Sequence, residues 1–471
     1  MANPSSQETQ TAKTGRWLIL GILCIAFAVR VTAAFFWHQS ALPEQNYFRV
    51  GDSYSYWTLA TQLGRGQEYH YGSENAAVFR APVYPILLVP FTWIEEPGTA
   101  VFAARIMGCL FGVLAVYLVG LIGYRLGGRW GQVFALGLAS IYPSGIGMSI
   151  TVLSEAVFMP LMLASLLFWL RTAEHSGRRY GNSVAAGVFS GLAILARPSW
   201  LLFLPFACGM FLLFSKQRKQ HLQVLFAMLL AVAVTMLPWW IRNASVTGKF
   251  VLTTLQVGPS LYDGLHEGAT GASDEGMAFM QAIAKQQVAA DQAVLADLGA
   301  GTANSQSTDD SAASNSFTSS DAAIRNDMLD GTLEWRINRR AQRLALDWAQ
   351  ANPAEVIKLA GKKFLRTWSL WPDGGENGSL IVRLAITVSC FSVVLLALAG
   401  TVFRVRLAKL VGRDLPERWV FCALWLPSLY FTLLHMIFVG SIRYREPAVF
   451  VLTAVAGFAV GKVYEVLRSQ R

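Results

Sequence analysis

The feature that most constrains this chain is a series of long, almost uncharged apolar stretches that recur from one end to the other. About 17 to 25 apolar residues suffice to cross the hydrocarbon core of a membrane. The stretches predict an all-α, multi-pass membrane protein with about ten or more transmembrane helices. They cover residues 17–29, continuing past Arg30 to 37, and then 106–124, 130–153, 156–170, 180–196, 198–215, 222–241, 384–403, 419–437 and 447–461.

Composition agrees with a membrane protein. Only 14% of the 471 residues are charged, and the net charge is +10, whereas a soluble domain usually carries about 25% charged residues. This argues against a soluble enzyme and against a nucleic-acid-binding protein. The five cysteines lie in predicted spans without CxxC spacing, so we expect small buried hydrophobes and neither disulfides nor a zinc site.

The basic residues indicate the orientation, because short cytoplasmic loops are rich in lysine and arginine. With a cytoplasmic N-terminus, every short inner segment is basic. We therefore predict cytoplasmic tails at residues 1–16 and 466–471. The inner basic residues are Lys13, Arg16, Arg125, Arg129, Arg171, Arg178, Arg179, Lys216, Arg218, Lys219, a group from 404 to 418, Lys462, Arg468 and Arg471.

Two long outer loops interrupt the spans. Within residues 17–241, which we expect to form the catalytic module, loop 38–104 contains two predicted surface helices at 52–63 and 83–94. An apolar stripe at helical spacing is typical of a helix lying along a membrane surface. The first of these helices includes Tyr54.

The second outer loop covers residues 242–383. Its part 299–320 is rich in Ala, Ser, Asp and Gly, a composition typical of a disordered insert. From 333 to 368 the amphipathic pattern returns, so we expect a small helical outer subdomain there. C-terminal transmembrane helices follow at 384–465.

Two residues of the first outer loop could carry chemistry. Asp52 lies just above the predicted bilayer among aromatic residues, where a general base could reach a lipid-borne substrate; as an alternative, it could cap the following helix. Arg80 precedes Pro82, Tyr84 and Pro85, and this stiff segment would aim its guanidinium at a phosphate near the membrane. The alternative for Arg80 is a side chain that reaches the interface without a ligand.

Further charged residues stand at outer ends of other spans. Glu155 opens a span, where an acidic residue is costly and hence a functional candidate, although Ser154 and Glu155 could also form a cap. Arg197 precedes a proline. Arg443 and Arg445 could flank one anion, while Glu446 could neutralise Arg445. The segment 238–243, with two tryptophans and Arg242, is typical of an aromatic belt at the outer interface.

Taken in order, these features resemble the GT-C superfamily of membrane glycosyltransferases, in particular bacterial relatives of protein O-mannosyltransferases and of the aminoarabinose transferase that modifies lipid A. The resemblance runs from the first span to about Pro447. It rests on Asp52, on Arg80 with Pro82, Tyr84 and Pro85, on Glu155, on Arg197-Pro198, on Pro238-Trp239 with Arg242-Asn243, and on Arg443-Tyr444-Arg445 with Pro447.

The resemblance implies a protein of a bacterial inner membrane that transfers a sugar from a polyprenyl-phosphate carrier to an extracytoplasmic glycan, lipid or protein. One displacement from such a carrier would invert the anomeric carbon. Asp52 and Glu155 would be the catalytic carboxylates. The donor phosphate would be held by Arg80, Arg197, Arg443 and Arg445, and the cavity would be lined by Tyr54, Tyr84 and Tyr444. The aminoarabinose transferases carry an acidic residue where this chain has Phe79, and this departure argues against a metal contact of the family type. A divalent metal stays possible, with no residues assigned to it.

Two other functions stay open from the residues alone. A polysaccharide ligase or polymerase should use a large outer loop bearing histidine and arginine, and this outer loop contains only His266 among the histidines. A flippase or transporter of lipid-linked sugars should line midspan positions with charges, and few are present. No HExxH, GxGxxG or P-loop pattern supports zinc hydrolysis, dinucleotide binding or ATP hydrolysis.

Overall fold

The computed structural model of the protein describes residues 4–49, 51–71, 76–172, 176–214, 218–273, 277–303, 329–372, 379–411 and 418–470. Within these ranges the regular structure is helical throughout. The α-helices in chain order are α1 (Pro4–Ala41), α2 (Gly51–Gly64), α3 (Val83–Leu88), α4 (Pro97–Ile141), α5 (Pro143–Ile150), α6 (Glu155–Arg171), α7 (Arg179–Ala196), α8 (Phe203–Phe214), α9 (Arg218–Thr247), α10 (Val257–Gly264), α11 (Ala278–Ala303), α12 (Leu333–Ala351), α13 (Pro353–Thr367), α14 (Leu380–Val402), α15 (Arg404–Val411), α16 (Arg418–Ile437) and α17 (Ile442–Ser469).

Six of the described helices are long and apolar enough to cross a membrane, judged by length and composition. The predicted all-α, multi-pass architecture is confirmed. The predicted number of about ten spans is met only in part, because several apolar stretches form shorter helices such as α6, α7 and α8. The six segments are Gly15–Ala41, Pro97–Ile141, Arg218–Thr247, Leu380–Val402, Arg418–Ile437 and Ile442–Ser469.

Helix α4 is a hairpin of two arms and not a single rod. Gly128 has φ +66° and ψ −153°, a backbone conformation that is easy only for glycine, and it reverses the chain there. The arms then touch, since a Cβ placed on Gly123 would lie 2.7 Å from the carbonyl oxygen of Gly131. Two of the predicted spans, 106–124 and 130–153, therefore correspond to the two arms of one helical element, the second arm continuing into α5.

The outer loops contain the helices that their patterns predict. Residues 52–63 lie in α2, and 83–94 fall on α3 and a following 3₁₀ turn, Val89–Trp93. The amphipathic region 333–368 forms α12 and α13. Of the predicted insert 299–320, residues 299–303 end helix α11. The remainder, 304–320, lies outside the described residues.

Helix α17 forms the centre of the bundle. It packs along α4, which also packs against α1, and α17 contacts α14 and α16. Gly457 and Gly461 face the backbone of the second arm of α4 at Ala135 and Gly131, without room for a side chain between the helices. Small residues at such positions let membrane helices approach closely. The packing places the first turn of α17 near the ends of α6 and α7.

Candidate active site

Five charged side chains from separate parts of the chain meet at one place. Asp52 lies in the first turn of α2 and Glu155 in the first turn of α6, where the helix dipole favours a negative charge. Arg443 lies in the first turn of α17. Arg80 lies shortly before α3, and Arg197 directly follows α7. We call these five residues the ion-pair cluster.

The cluster is a continuous series of alternating charges. Arg80 Nη2 lies 2.7 Å from Asp52 Oδ1, and Arg443 Nη1 lies 3.0 Å from Asp52 Oδ2. Arg443 Nε also contacts Glu155 Oε1, which lies 2.6 Å from Arg197 Nη1. Arg443 therefore bridges the two carboxylates. Three guanidinium groups against two carboxylates leave the cluster with one excess positive charge.

The two carboxylates differ in exposure. The side chain of Glu155 is 1% exposed, whereas that of Asp52 is 35% exposed. A ligand from outside would therefore meet Asp52 and Arg443 first. Glu155 lies at the buried end, where it holds two arginines in place.

The arginines keep the Asp52 carboxyl ionised. Burial by itself would raise the pKa of Asp52, because the charged form loses hydration. The positive charges of Arg80 and Arg443 outweigh burial, and the pKa of Asp52 lies below its ordinary value. In this state Asp52 is charged at neutral pH but is a weak proton acceptor.

Arg80 is held by more than its ion pair. Its Nε donates to Ser55 Oγ at 3.1 Å and its Nη1 donates to Gln256 Oε1 at 3.1 Å. The guanidinium also lies over the ring of Tyr56, 5.2 Å from the centroid. Arg80 therefore points into the cluster and not to the membrane interface. Sequence reasoning missed Gln256, because nothing in its own surroundings marks a residue 176 positions away as a partner.

The backbone that presents Arg80 is fixed from two sides. Both carboxylate oxygens of Glu334, at 3.3 and 3.1 Å, accept from the backbone N–H of Val78. Arg242 Nη1 donates to the carbonyl of Ala77 at 2.8 Å. Burial raises the pKa of Glu334 to about 7, against the opposing effect of the backbone hydrogen bonds. The long outer loop thus supports the site from outside, a role that its sequence did not predict.

Tyr444 lies at the other end of the cluster. The guanidinium of Arg197 lies 5.6 Å from the centroid of the Tyr444 ring. The ring of His435 stacks on the ring of Tyr444, with centroids 4.1 Å apart and planes at 3°. His435 Nδ1 lies 2.9 Å from the carbonyl of Val439. His435 had no site role in the sequence prediction, which saw only that the histidines lack ligand spacing.

The structure separates Arg445 from the cluster, although the sequence pattern grouped it with Arg443 around one phosphate. Its guanidinium donates to the carbonyls of Thr367 at 3.0 Å and Ser369 at 2.6 Å, and Nε donates to Glu446 Oε1 at 3.4 Å. The cause is helical geometry: residues two apart on a helix point in nearly opposite directions. The predicted pairing of Arg445 with Glu446 is observed.

Two predicted cavity tyrosines lie outside the charged contacts. Tyr54 is exposed and its ring packs edge-on against Phe48. Tyr84 is buried, and its ring packs edge-on against Tyr56, which hydrogen-bonds to Ser154 at 3.1 Å. Tyr84 therefore supports the cluster indirectly, because it packs against Tyr56, whose ring lies under the guanidinium of Arg80.

The capping alternatives for the two carboxylates fit less well. Both oxygens of Asp52 are paired with arginines. At the start of α6, Ser154 makes no side-chain cap bond to the backbone. Where a metal was left possible, the described part of the chain holds no group of three His, Cys, Asp or Glu side chains close together, and Phe79 stacks against Tyr71.

Two solved structures of one oligosaccharyltransferase share this fold, and a third protein aligns over most of the chain at a lower score. The apo oligosaccharyltransferase of Archaeoglobus fulgidus aligns with a TM-score of 0.54 at 14% identity, over 96% of this chain and 51% of its own. The same protein tethered to an acceptor peptide with an NVT sequon aligns with a TM-score of 0.51 at 14% identity, over 96% and 50%. ArnT of Cupriavidus metallidurans bound to undecaprenyl phosphate aligns with a TM-score of 0.38 at 16% identity, over 93% and 77%. The chain spans about half the length of the oligosaccharyltransferase.

The fold and the cluster at its helix ends define an all-helical, multi-pass membrane protein with charged side chains gathered at the ends of its helices. Residues 80–241 match the family described as dolichyl-phosphate-mannose-protein mannosyltransferase, so this part of the chain is similar to that family and the predicted resemblance is confirmed. The matched segment contains Arg80, Glu155 and Arg197. Asp52 and Arg443 lie outside it. No curated protein sequence matches the chain.

Proposed function

We propose that the protein is an integral membrane glycosyltransferase that moves a sugar from a polyprenyl-phosphate donor to an acceptor on the extracytoplasmic side. The observation that carries this proposal is the ion-pair cluster, in which three arginines converge on two carboxylates at helix ends. The family match supports the donor class, because that family is named for dolichyl-phosphate mannose, a sugar on a lipid phosphate.

The charge of the cluster suits this donor. A sugar joined to a lipid through one phosphate is a phosphodiester with a single negative charge, which balances the one excess positive charge of the cluster. When the sugar leaves, the phosphate becomes a monoester with about −1.5 to −2 charges at neutral pH. Arg80, Arg197 and Arg443 therefore interact more strongly with the departing phosphate than with the intact donor, which is the condition for lowering the barrier.

Binding of the donor would also change Asp52. A phosphate that takes hydrogen bonds from Arg80 and Arg443 competes with Asp52 for the same guanidinium groups. As these contacts loosen, the pKa of Asp52 rises from its depressed value and the carboxylate becomes a better base. The donor would thus prepare Asp52 for the acceptor, and Asp52 would be a poor base before the donor is bound.

The reaction then needs one displacement. The acceptor hydroxyl oxygen attacks the anomeric carbon, Asp52 takes the hydroxyl proton, and the bond from that carbon to the phosphate oxygen breaks. The electron pair stays on the phosphate, which the arginines hold. A single displacement inverts the anomeric centre. Glu155, buried between Arg197 and Arg443, positions the two arginines and is not the base.

Helix directions support a site on one side of the membrane. We propose that ten segments cross the membrane, namely α1, the two arms of α4, α6, α7, α8, α9, α14, α16 and α17. With alternating directions, all five residues of the cluster fall at ends on the same side, and the hairpin turn with Arg125 and Arg129 falls on the other. The positive-inside rule makes the latter side cytoplasmic. In a bacterial inner membrane the site would therefore face outward.

The test is a transfer assay with the purified protein in lipid nanodiscs, a radiolabelled polyprenyl-phosphate hexose or pentose, and a panel of glycan, lipid and protein acceptors. We expect release of polyprenyl phosphate together with labelled acceptor. Asp52→Asn should reduce turnover by about 10²–10⁴-fold, the usual contribution of a general base, while donor still binds. Asp330→Asn is the matched control, because Asp330 pairs with Lys249 at the surface. Full turnover in Asp52→Asn would show that Asp52 is not the base.

A further inference from the structure

Helix α13 exposes apolar side chains on one side. Ile357 is 75% exposed, Leu365 is 68% exposed and Phe364 is also exposed. These three positions lie within about 100° of one another around a helix with 3.6 residues per turn. Leu370 and Trp371 continue the exposed apolar surface just beyond the helix. A patch of this kind marks a surface that binds a partner or a membrane.

The neighbouring sides of α13 are polar or buried. Lys358 and Lys362 are exposed beside the apolar side. Leu359 and Lys363 face the protein and are buried. An exposed apolar side flanked by lysines is the pattern of a helix that lies in the membrane interface, with its lysines towards lipid headgroups.

Contacts of α13 with membrane helices set its height. Lys363 Nζ donates to the carbonyl of Ile437, the last residue of α16, at 2.7 Å. Just after the helix, Trp368 Nε1 donates to Thr432 Oγ1 at 2.9 Å. Because α16 is apolar enough to span the membrane, these contacts hold α13 at the level where that span ends.

We propose that the apolar side of α13 is inserted into the interfacial region of the bilayer, where phospholipid acyl chains cover Ile357, Phe364 and Leu365 and anionic headgroups contact Lys358 and Lys362. The lipid occupant follows from three observations: the height set by α16, the lysines, and the nearby start of α14. There, Leu380 and Ile381 are also exposed on a span that requires lipid cover.

This surface is joined to the ion-pair cluster through Arg445. Arg445 donates to the carbonyls of Thr367 and Ser369 at the end of α13. Two residues earlier, in the same turn of α17, Arg443 bridges the two carboxylates. Arg445 therefore links the end of α13 to the turn of α17 that carries Arg443. The proposal about lipid contact does not depend on the proposed reaction.

The test uses a photoreactive benzoylphenylalanine placed at position 357 or, separately, at position 365 of the full chain. The purified variants are irradiated in nanodiscs of phosphatidylcholine with or without phosphatidylglycerol, and lipid adducts are measured by mass spectrometry. Position 355 is the matched control, because Glu355 is exposed on the polar side of the same helix. Two probe positions guard against one variant that does not fold.

We expect adducts with acyl chains at 357 and 365 in several-fold excess over 355. Phosphatidylglycerol should be enriched among these adducts, and Lys358→Gln with Lys362→Gln should abolish that enrichment. Equal adduct yields at all three positions, or no lipid adduct at 357 and 365, would overturn the proposal. Crosslinks to a second copy of the chain in place of lipid would also overturn it, because the surface would then be a protein interface.

Discussion

Arg443 and Arg445 lie in the same turn of α17, yet they belong to two different kinds of charged site. Arg443 pairs with two carboxylates, one of them partly exposed, in a cluster with one excess positive charge. Arg445 is almost fully buried, and its partners are Glu446 and two backbone carbonyls. The first arrangement can exchange a carboxylate for a phosphate. The second has no open side, and it fixes α13 to α17.

The comparison teaches that a guanidinium near a membrane surface is not by itself evidence of phosphate binding. The groups that pair with the arginine decide whether it is able to bind a phosphate. Carboxylates on helix ends can be displaced by another anion at a modest cost, because the arginines keep a charged partner throughout. If an arginine leaves a buried backbone carbonyl to bind a phosphate, that carbonyl loses its hydrogen-bond donor. The free-energy cost of the unpaired carbonyl is not offset by the new contact with the phosphate.

The largest effect on folding should come from Arg445→Ala. It leaves Glu446 buried beside Tyr142 without its cation, and breaking a buried ion pair usually costs about 3–5 kcal/mol. Thermal unfolding in detergent should show a large drop in stability. The double substitution Arg445→Met/Glu446→Gln should recover part of it, because it removes the uncompensated charge. A single substitution with wild-type stability would break the distinction between the two arginines.

The largest effect on turnover should come from Arg443→Ala. Loss of one preorganised donor to the developing charge typically reduces kcat by about 10²–10³-fold, whereas Asp52 and Glu155 each keep a second arginine, so the fold should persist. The measurement is kcat and KM for the lipid-phosphate sugar beside the unfolding temperature. Arg339→Ala, at an exposed position, is the control. Equal loss of stability in Arg443→Ala and Arg445→Ala would contradict the comparison.

Glu334 provides a third case, a buried carboxylate that accepts from backbone and has no guanidinium bonded to it. Its pKa in the folded state is raised to about 7, so its contribution to stability is full below the unfolded value of about 4.3 and is lost as the pH rises through 7. At about 1.4 kcal/mol per pKa unit, Glu334→Gln should remove a pH-dependent destabilisation of up to about 4 kcal/mol.

The check is thermal unfolding between pH 5 and 8 for wild type and Glu334→Gln, with the exposed Glu355→Gln as control. The stability of the wild type should fall over this range more than that of Glu334→Gln, and Glu355→Gln should follow the wild type. Parallel curves for all three proteins would show that Glu334 does not titrate as a buried group.

The smallest effect should come from Gln256→Ala, which removes one neutral partner of Arg80. A hydrogen bond to a charged group contributes about 1.5 kcal/mol, or about tenfold, and the effect should appear in KM for the donor with little change in kcat. The same substitution at the exposed Gln67 is the control. A change in kcat alone would indicate that Gln256 acts on the reaction step and not on donor binding.

Much of the candidate site followed from local patterns. Asp52, Arg80, Glu155, Arg197 and Arg443 each stood at an end of a predicted span or surface helix, and the structure brings them together. Their order along the chain was sufficient because helix ends on one side of a membrane are forced into one thin layer. Because successive spans run in opposite directions, charged residues at the outer ends of the helices all lie near the same membrane surface.

Features that depend on direction around a helix or on a distant partner were not predicted from the sequence. Arg445 was grouped with Arg443 because the start of α17 was placed later than Ile442, where the helix begins. Gln256 and Glu334 carry no local signal, since a polar residue in an outer loop usually faces water. The predicted spans 106–124 and 130–153 form the two arms of one hairpin, whose turn depends on the positive φ of Gly128.

The sequence by itself determined that this is an all-α, multi-pass membrane protein and which charged residues stand at its helix ends, because the cost of placing charges in lipid restricts where they can occur. Only the tertiary structure decided which of those charges meet, which one is used to hold α13, and which parts of the outer loop support Arg80. Those outcomes depend on side-chain direction and on contacts between residues up to 391 positions apart, which no local pattern encodes.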